Sequence, residues 1–266
     1  MINPPAVAGG LLSCWTDRLR ALPGPPAVGV LLRGSHARGA ATAYSDLDLD
    51  LLVDGPPYQA NPAFLQENGH RLVHVSVAVR DVESWFARLR SPAPWSFGLP
   101  VDAPARLLWA ADGWRDRLDL CRVRQPGSEP RLEDLVAGVG KLCAAYAAAD
   151  DAVARLAAGD LARACLSVLR LANPPVTVAS RREAVEAVLH LAVVPPGYDA
   201  DMRLCLGLLA GTLTEVYAAG RRLAAGVVAL VRPYADVLAA SCGRDLAGAL
   251  IDGRLDRYLT QLAATG

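Results

Sequence analysis

The pattern of apolar residues changes near residue 128, and this change constrains the fold more than any other feature of the sequence. Up to the segment "RQPGSEP" (124–130), short strand-like runs alternate with short helical segments and turns. From Leu132 onward, alanine and leucine recur with helical spacing. We therefore predict an α+β protein, with an N-terminal domain of strands and helices over residues 1–128 and a C-terminal α-helical bundle over residues 129–266.

Local patterns predict the elements of both halves. The first half is expected to contain strands at 28–32, 46–53 and 71–79, and a strand with a turn within 105–114. Helices are expected at 9–22, at 61–70 with Gly69 as its C-terminal glycine, and at 81–90 with Asp81 as its N-cap. The second half is expected to hold about five helices, separated by breaks at 157–160, 173–180, 193–199 and 242–245.

Composition argues against several classes of partner. The 266 residues carry 27 basic and 27 acidic side chains. Residues 1–130 hold 13 of each, so neither half has the basic surplus that nucleic-acid binding usually requires. No apolar run has the length of a membrane helix, and the first residues lack the positive charge of a signal peptide. The six cysteines are scattered without metal-site spacing, so we expect a cytoplasmic protein with free thiols, without nucleic-acid or membrane partners.

Three aspartates recur at every second position of the predicted strand "DLDLDLLV" (46–53). Residues i and i+2 of a strand point to the same side, with Cα atoms roughly 6.6 Å apart. The carboxylates of Asp46 and Asp48 would therefore lie side by side, where they repel each other unless a cation lies between them. Oxygen ligands of this kind suit Mg²⁺. The preceding Gly34–Ser35 turn exposes backbone N–H groups that can hold phosphate, so the stretch indicates a nucleoside triphosphate bound through its metal.

The stretch "LLRGSHARGAATAYSDLDLDLLV" (31–53) resembles the signature of nucleotidyltransferases of the DNA polymerase β superfamily, most closely the bacterial aminoglycoside adenylyltransferase type. The resemblance implies a small mixed sheet with helices, followed by a helical domain that binds the acceptor. It also implies that Asp46 and Asp48 hold Mg²⁺, or Mn²⁺ in its place, and that Gly34 and Ser35 hold the triphosphate of ATP. The expected reaction moves AMP onto a hydroxyl of a small molecule, such as an antibiotic, with release of pyrophosphate.

Two arginines are candidates for further phosphate contacts. Arg38 lies in the predicted phosphate turn and is permanently charged. The segment "VTVASRREAVEAVLHLAVVP" (176–195) resembles a part of the helical domain of those enzymes in which a lysine reaches the triphosphate. Arg181 stands at that position, and a guanidinium can bind phosphate as well. The competing interpretation of Arg181 is a solvated helix start.

The third strand, "RLVHVSVAV" (71–79), departs from the pattern of that superfamily. Members carry an acid where this sequence has His74, which strand parity places on the same face as Ser76. His74 could serve as the general base for the acceptor hydroxyl, or Asp50 or Asp81 could supply the missing carboxylate. Alternatively, the site is incomplete and the protein is a nucleotide-binding regulator. A further alternative keeps the chemistry and makes a protein hydroxyl the acceptor.

Overall fold

The computed structural model describes residues 9–42, 44–57, 61–68 and 71–264, and the protein is a mixed α+β structure, as predicted. The chain divides into two compact units. The first, called the sheet unit below, contains the residues up to Pro92 together with Pro100–Pro126. The second, the helical unit, contains Ala93–Leu99 together with the residues from Gly127 onward.

The strands of the sheet unit are β1 (Ala27–Leu32), β2 (Leu47–Val53), β3 (Ala63–Asn68), β4 (Arg71–Asp81), β5 (Val101–Pro104), β6 (Arg106–Ala110) and β7 (Arg122–Gln125). In the described residues, five of them form one sheet in the order β3-β4-β2-β1-β6. Strands β2 and β4 are parallel, and the other neighbours in this sheet are antiparallel. Strands β5 and β7 form a separate antiparallel pair. The helices are α1 (Gly9–Arg20), α2 (Gly34–Ala37), α3 (Val82–Arg88) and α4 (Arg115–Leu118).

The two faces of the sheet are used differently. On one face, Leu49 of β2 and Val77 of β4 are buried in a cluster that includes Trp15 and Leu19 of α1. On the other face, Leu52 packs in a second apolar cluster with side chains of α3, while the start of β2 carries acidic residues instead. The alternation of strand side chains therefore gives this second face an apolar end and a polar end.

The helix predicted over residues 61–70 is wrong, because this segment contains strand β3. Residues 63–68 pair antiparallel with β4, and the ring of Phe64 packs against Trp15 at 4.9 Å between centroids. The backbone hydrogen bonds of this pairing stabilise the strand more than the local sequence favours a helix. Gly69, predicted as the C-terminal glycine of that helix, lies outside the described residues.

The predicted strands of the sheet unit are confirmed near their expected positions, and so are the helices over 9–22 and 81–90. Strands β5 and β7 and the short helix α4 were not predicted. They are four-residue elements in each case, too short to show a clear periodicity in sequence.

The described part of the helical unit contains eight α-helices instead of about five. They are α5 (Leu132–Ala147), α6 (Asp151–Leu169), α7 (Arg181–Leu189), α8 (Tyr198–Cys205), α9 (Leu213–Val231), α10 (Ala235–Cys242), α11 (Arg244–Ile251) and α12 (Arg254–Ala264). The breaks at 173–180, 193–199 and 242–245 are confirmed. The break at 157–160 is wrong, because Gly159 lies inside α6, whose buried face continues on both sides of it. The helix instead begins after Ala149 (φ +52°) with Asp150 as its N-cap.

Helices α5, α6 and α9 form the core of the helical unit. A Cβ on Gly220 of α9 would collide with the side chain of Leu142 on α5, so glycine allows these helices to approach closely. By length and composition alone, Leu213–Cys242 could cross a membrane. The α9 part of this stretch supplies Leu223, Val227 and other buried side chains to the core of the unit, as a core helix does.

Candidate active site

Gly34 lies against Asp48 at the polar end of the sheet. The backbone N–H of Arg33 donates to the carbonyl of Asp48 at 2.9 Å, which ties the start of α2 to β2. Gly34 has φ +66°, and a Cβ at this position would overlap the Asp48 carboxylate. Only glycine satisfies both conditions. The predicted Gly34–Ser35 turn is thus a single helical turn whose backbone lies directly against one of the aspartates.

Parallel pairing of β2 with β4 places the predicted catalytic residues at one end of one sheet face. Asp48 lies opposite Ser76 in the register. Asp46 immediately precedes β2, and its Oδ2 atom lies 3.9 Å from Nδ1 of His74. The side chains of Asp46 and His74 are each about half exposed, at 48% and 50%. This end of the face can therefore admit a ligand to two carboxylates and an imidazole together.

The Asp48 carboxylate is in an unfavourable electrostatic environment. Burial and the neighbouring charge of Asp46 raise its pKa, while the positive charges of Arg33 and Arg38 oppose this rise. The charge of Asp50 adds to the rise. Two adjacent acids with so little compensation fit a site for a divalent cation, whose charge would favour the ionised form of both.

Asp50, the third aspartate, has a different environment. It is only 7% exposed and accepts hydrogen bonds from Arg33 Nη1 at 2.8 Å and from Trp85 Nε1 at 3.3 Å. These two partners, which the sequence analysis did not identify, occupy its carboxylate within the sheet unit. An arginine directly after the apolar strand "VGVLL" was the available signal, because a half-buried guanidinium needs an acidic partner.

The Asp81 side chain also makes its hydrogen bonds away from the site. It lies opposite Val53, five residues along β4 from Ser76, which corresponds to roughly 16 Å of strand. Its side chain caps α3 by accepting from the N–H of Ser84, and also accepts from the N–H of Gly55. These hydrogen bonds lower its pKa. The arrangement therefore favours neither Asp50 nor Asp81 as the missing acid.

His36 and Arg38 follow Ser35 around the same turn. Burial lowers the pKa of His36, although the charge of Asp46 acts in the opposite direction. Arg38 is the residue after α2, and its charge acts on Asp48. Both side chains therefore lie close enough to the aspartates for electrostatic interaction. Within the described residues, no cluster of three or more His, Cys, Asp or Glu side chains could hold a metal ion, so the candidate cation site consists of the two aspartates alone.

Arg181 belongs to the helical unit, where it is the exposed first residue of α7. Ser180 caps this helix, and Glu183 accepts from the Ala179 N–H, so the local contacts are those of an ordinary helix start. The same unit contains a cavity of about 380 Å³ between α5 and α6. Its charged lining is balanced, with three cations and three acids: Arg131, Lys141, Arg163, Glu129, Asp134 and Asp160.

Comparison with known proteins gives one family match. Residues 131–233 match the family model "Nucleotidyltransferase, substrate binding domain". This segment runs from the start of α5 to the end of α9, and the match supports the nucleotidyltransferase superfamily and nucleotidyl transfer in general. No curated protein matches the chain.

Among solved structures, one neighbour is a nucleotidyltransferase-like protein from Exiguobacterium sibiricum 255-15. It is 12% identical, the alignment covers 86% of this chain and 76% of that one, and the TM-score is 0.37. A likeness at this level supports no inference about this chain, and we therefore interpret the site from its own geometry and from the family match.

Proposed function

We propose that the protein is a metal-dependent nucleotidyltransferase that moves AMP from ATP onto a hydroxyl of a small molecule and releases pyrophosphate. The observation that carries the proposal is the contact of the Gly34 backbone with Asp48, beside Asp46 on the same face. It joins a phosphate-binding turn to a pair of carboxylates, and these are the two parts that a metal-bound triphosphate requires.

Each residue has a distinct role in this proposal. Asp46 and Asp48 hold Mg²⁺, or Mn²⁺ in its place, which would supply the charge neutralisation that phosphoryl transfer needs. The N–H groups of Gly34 and Ser35, which have no acceptor within α2, bind phosphate oxygens, and Arg38 adds positive charge beside them. His74 takes the proton from the attacking hydroxyl. Arg181 contributes a further phosphate contact, as the resemblance of its segment implies.

The acceptor is assigned to the helical unit, because the family match is to a substrate-binding domain and because the α5–α6 cavity has the volume of a small-molecule site. A small hydroxylated compound, such as an antibiotic, fits both observations. A protein hydroxyl is the alternative acceptor. A nucleotide-binding regulator is a second candidate function, favoured by His74 at the position where relatives of this superfamily have an acid.

Calorimetry with a non-hydrolysable ATP analogue tests the proposal. The wild-type protein should bind the analogue in the presence of Mg²⁺ and lose most of that affinity in EDTA. Asp46→Asn combined with Asp48→Asn should abolish the metal-dependent part, since both ligands lose their charge. Asp201→Asn, in the helical unit, is the control and should bind as the wild type does. Equal metal-dependent affinity in the double variant and the wild type would refute the assignment.

Release of pyrophosphate separates the two candidate functions. Incubation with Mg²⁺–ATP and a set of hydroxylated small molecules should release pyrophosphate only with a true acceptor. Metal-dependent binding without release for any small molecule or protein acceptor would favour the regulator.

A further inference from the structure

The position of Asp50 on β2 carries an inference beyond the proposed reaction. Strand parity directs Asp50 to the same face as Asp46 and Asp48, yet it is 7% exposed whereas the side chain of Asp46 is about half exposed. Asp50 lies where the polar end of this face meets the apolar cluster that contains Leu31, Leu52 and Trp85. A charge in this position is costly unless it has close partners.

The partners of Asp50 connect it to the phosphate-binding turn. Arg33 Nη1 donates to the Asp50 carboxylate at 2.8 Å, and the backbone N–H of the same arginine donates to the carbonyl of Asp48 at 2.9 Å. Arg33 is therefore held at both its side chain and its backbone by two residues of β2. It is also the residue directly before Gly34, and its carbonyl accepts from the N–H of Ala37 within α2.

The turn itself has little freedom to move independently of Asp48. The Cα of Gly34 lies so close to the Asp48 carboxylate that a Cβ would overlap it. A shift of Arg33 would consequently displace the Gly34–Ser35 backbone, the Asp48 side chain, or both. A misplacement of about 1 Å in a site of this kind can cost about 100-fold in rate.

We propose that Asp50 is a positioning residue, which holds the Gly34–Ser35 turn against Asp48 through its ion pair with Arg33. It reaches neither substrate nor metal in this role, and Trp85 Nε1 donates to the same carboxylate oxygen as Arg33 does. This role explains why a third aspartate occupies the strand. Its importance for catalysis rests on the proposed nucleotidyltransferase function, whereas its effect on the turn does not.

Hydrogen exchange on the full-length chain tests the positional role without any ligand. The relevant amides are those of Arg33, Ala37, Arg38 and Ala40, which donate to Asp48, Arg33, Gly34 and Ser35. In Asp50→Asn these amides should exchange roughly tenfold faster or more, the typical effect of losing a charge-assisted hydrogen bond. Amides of α9 should be unchanged. Wild-type exchange rates over residues 33–40 in Asp50→Asn would overturn the inference.

A variant that replaces both charges separates positioning from stability. In Arg33→Leu combined with Asp50→Leu, apolar side chains take the place of the ion pair, so thermal stability should be recovered relative to Asp50→Asn. Fast exchange over residues 33–40 should persist, because the side-chain tether of the turn is still missing. Recovery of wild-type exchange together with stability would contradict a positioning role.

Calorimetry then tests whether the position of the Gly34–Ser35 turn affects binding of the ATP analogue. At a temperature where all variants are folded, Asp50→Asn should bind the Mg²⁺-dependent ATP analogue about 10–100-fold more weakly than the wild type. Asp201→Asn, which breaks the pair of another buried aspartate with an arginine, should keep wild-type affinity. Equal affinity of Asp50→Asn and wild type would overturn the link. If the wild type itself does not bind the analogue, the proposed function fails, and the exchange measurement still decides the role of Asp50.

Discussion

Asp48 in the sheet unit and Asp201 in the helical unit are both acids with limited exposure, but their surroundings are opposite. Asp201 is 4% exposed and accepts two hydrogen bonds from Arg222, at 2.6 and 3.1 Å. Asp48 has a second acid as its neighbour, and burial and that charge raise its pKa. An acid that serves the fold is neutralised by a close partner, whereas adjacent acids without such compensation indicate a site for a ligand.

The same contrast holds for other charges of the helical unit. Several of its arginines pair with an acid three or four residues away on the same helix, and these pairs include Arg155–Asp151, Arg163–Asp160 and Arg203–Asp199. Such exposed pairs contribute little to stability, about 0.3–0.5 kcal/mol each. Both halves of the sequence are neutral, so composition does not reveal where two acids lie side by side. The three-dimensional structure shows this for Asp46 and Asp48.

The largest expected effect is on the rate of nucleotidyl transfer. It concerns His74, which lies beside the paired acids of the sheet unit. If His74 takes the proton from the acceptor, His74→Ala should lower the rate by about 10²–10⁴-fold and leave binding of the ATP analogue unchanged. His190, an exposed histidine of the helical unit whose ring contacts the Glu186 carbonyl, provides the matched control. His190→Ala should transfer at the wild-type rate, as followed by pyrophosphate release.

The variant His74→Glu distinguishes a general-base role of His74 from an incomplete site. If the acid found in relatives of this superfamily is simply missing, His74→Glu should create or strongly raise activity by adding a carboxylate beside Asp46. If His74 is the base, no such gain is expected. A His74→Ala protein with the wild-type rate would reject the base role.

A smaller effect, on nucleotide affinity, is expected at Gly34. Gly34 and Gly39 both have positive φ, +66° and +68°, in the same connection between β1 and β2. A Cβ on Gly39 meets nothing within 4 Å, whereas one on Gly34 overlaps the Asp48 carboxylate. Gly39→Ala should therefore cost only backbone strain, roughly 1–2 kcal/mol. Gly34→Ala should also displace Asp48 and weaken metal-dependent binding of the ATP analogue by about 100-fold.

Calorimetry on the two alanine variants, together with thermal melts, checks this expectation. Similar nucleotide affinities for both would mean that the contact between Gly34 and Asp48 does not matter for binding. The two units would then differ only in how their buried acids are neutralised.

The sequence predicted the parts of the site that depend on local pattern. Alternation in "DLDLDLLV" is enough to place Asp46 and Asp48 on one face, and strand parity is enough to place His74 and Ser76 together on one face of their own strand. The parallel pairing of β2 with β4 is what brings the two pairs to the same face. The environment of Asp50 could not be predicted in this way, because it depends on the approach of Arg33 and of Trp85 from α3. Strand β3 was missed for a related reason, since its partner β4 determines its structure more strongly than its own sequence does.

The smallest expected effects are on thermal stability. Here Asp48→Asn and Asp201→Asn should shift the melting temperature in opposite directions. Asp201→Asn should lower the melting temperature, because Arg222 loses its charged partner. Arg222 is more than half exposed, so the loss is about 1–2 kcal/mol, or about 2–8 °C. Asp48→Asn should raise the melting temperature slightly in EDTA, because it removes an ionised acid that burial and Asp46 disfavour.

The pH dependence of the Asp48→Asn effect tests its electrostatic cause. The folded pKa of Asp48 lies above its ordinary value of 3.8, so the native state binds more protons than the unfolded state between these two values. The wild type should therefore lose stability relative to Asp48→Asn as the pH rises from below 3.8 through the folded pKa, and the difference should then remain constant. Melts in EDTA between about pH 3 and pH 8 measure it. A stability gain in Asp48→Asn that does not depend on pH would assign the effect to packing, and would remove the electrostatic contrast between the two units.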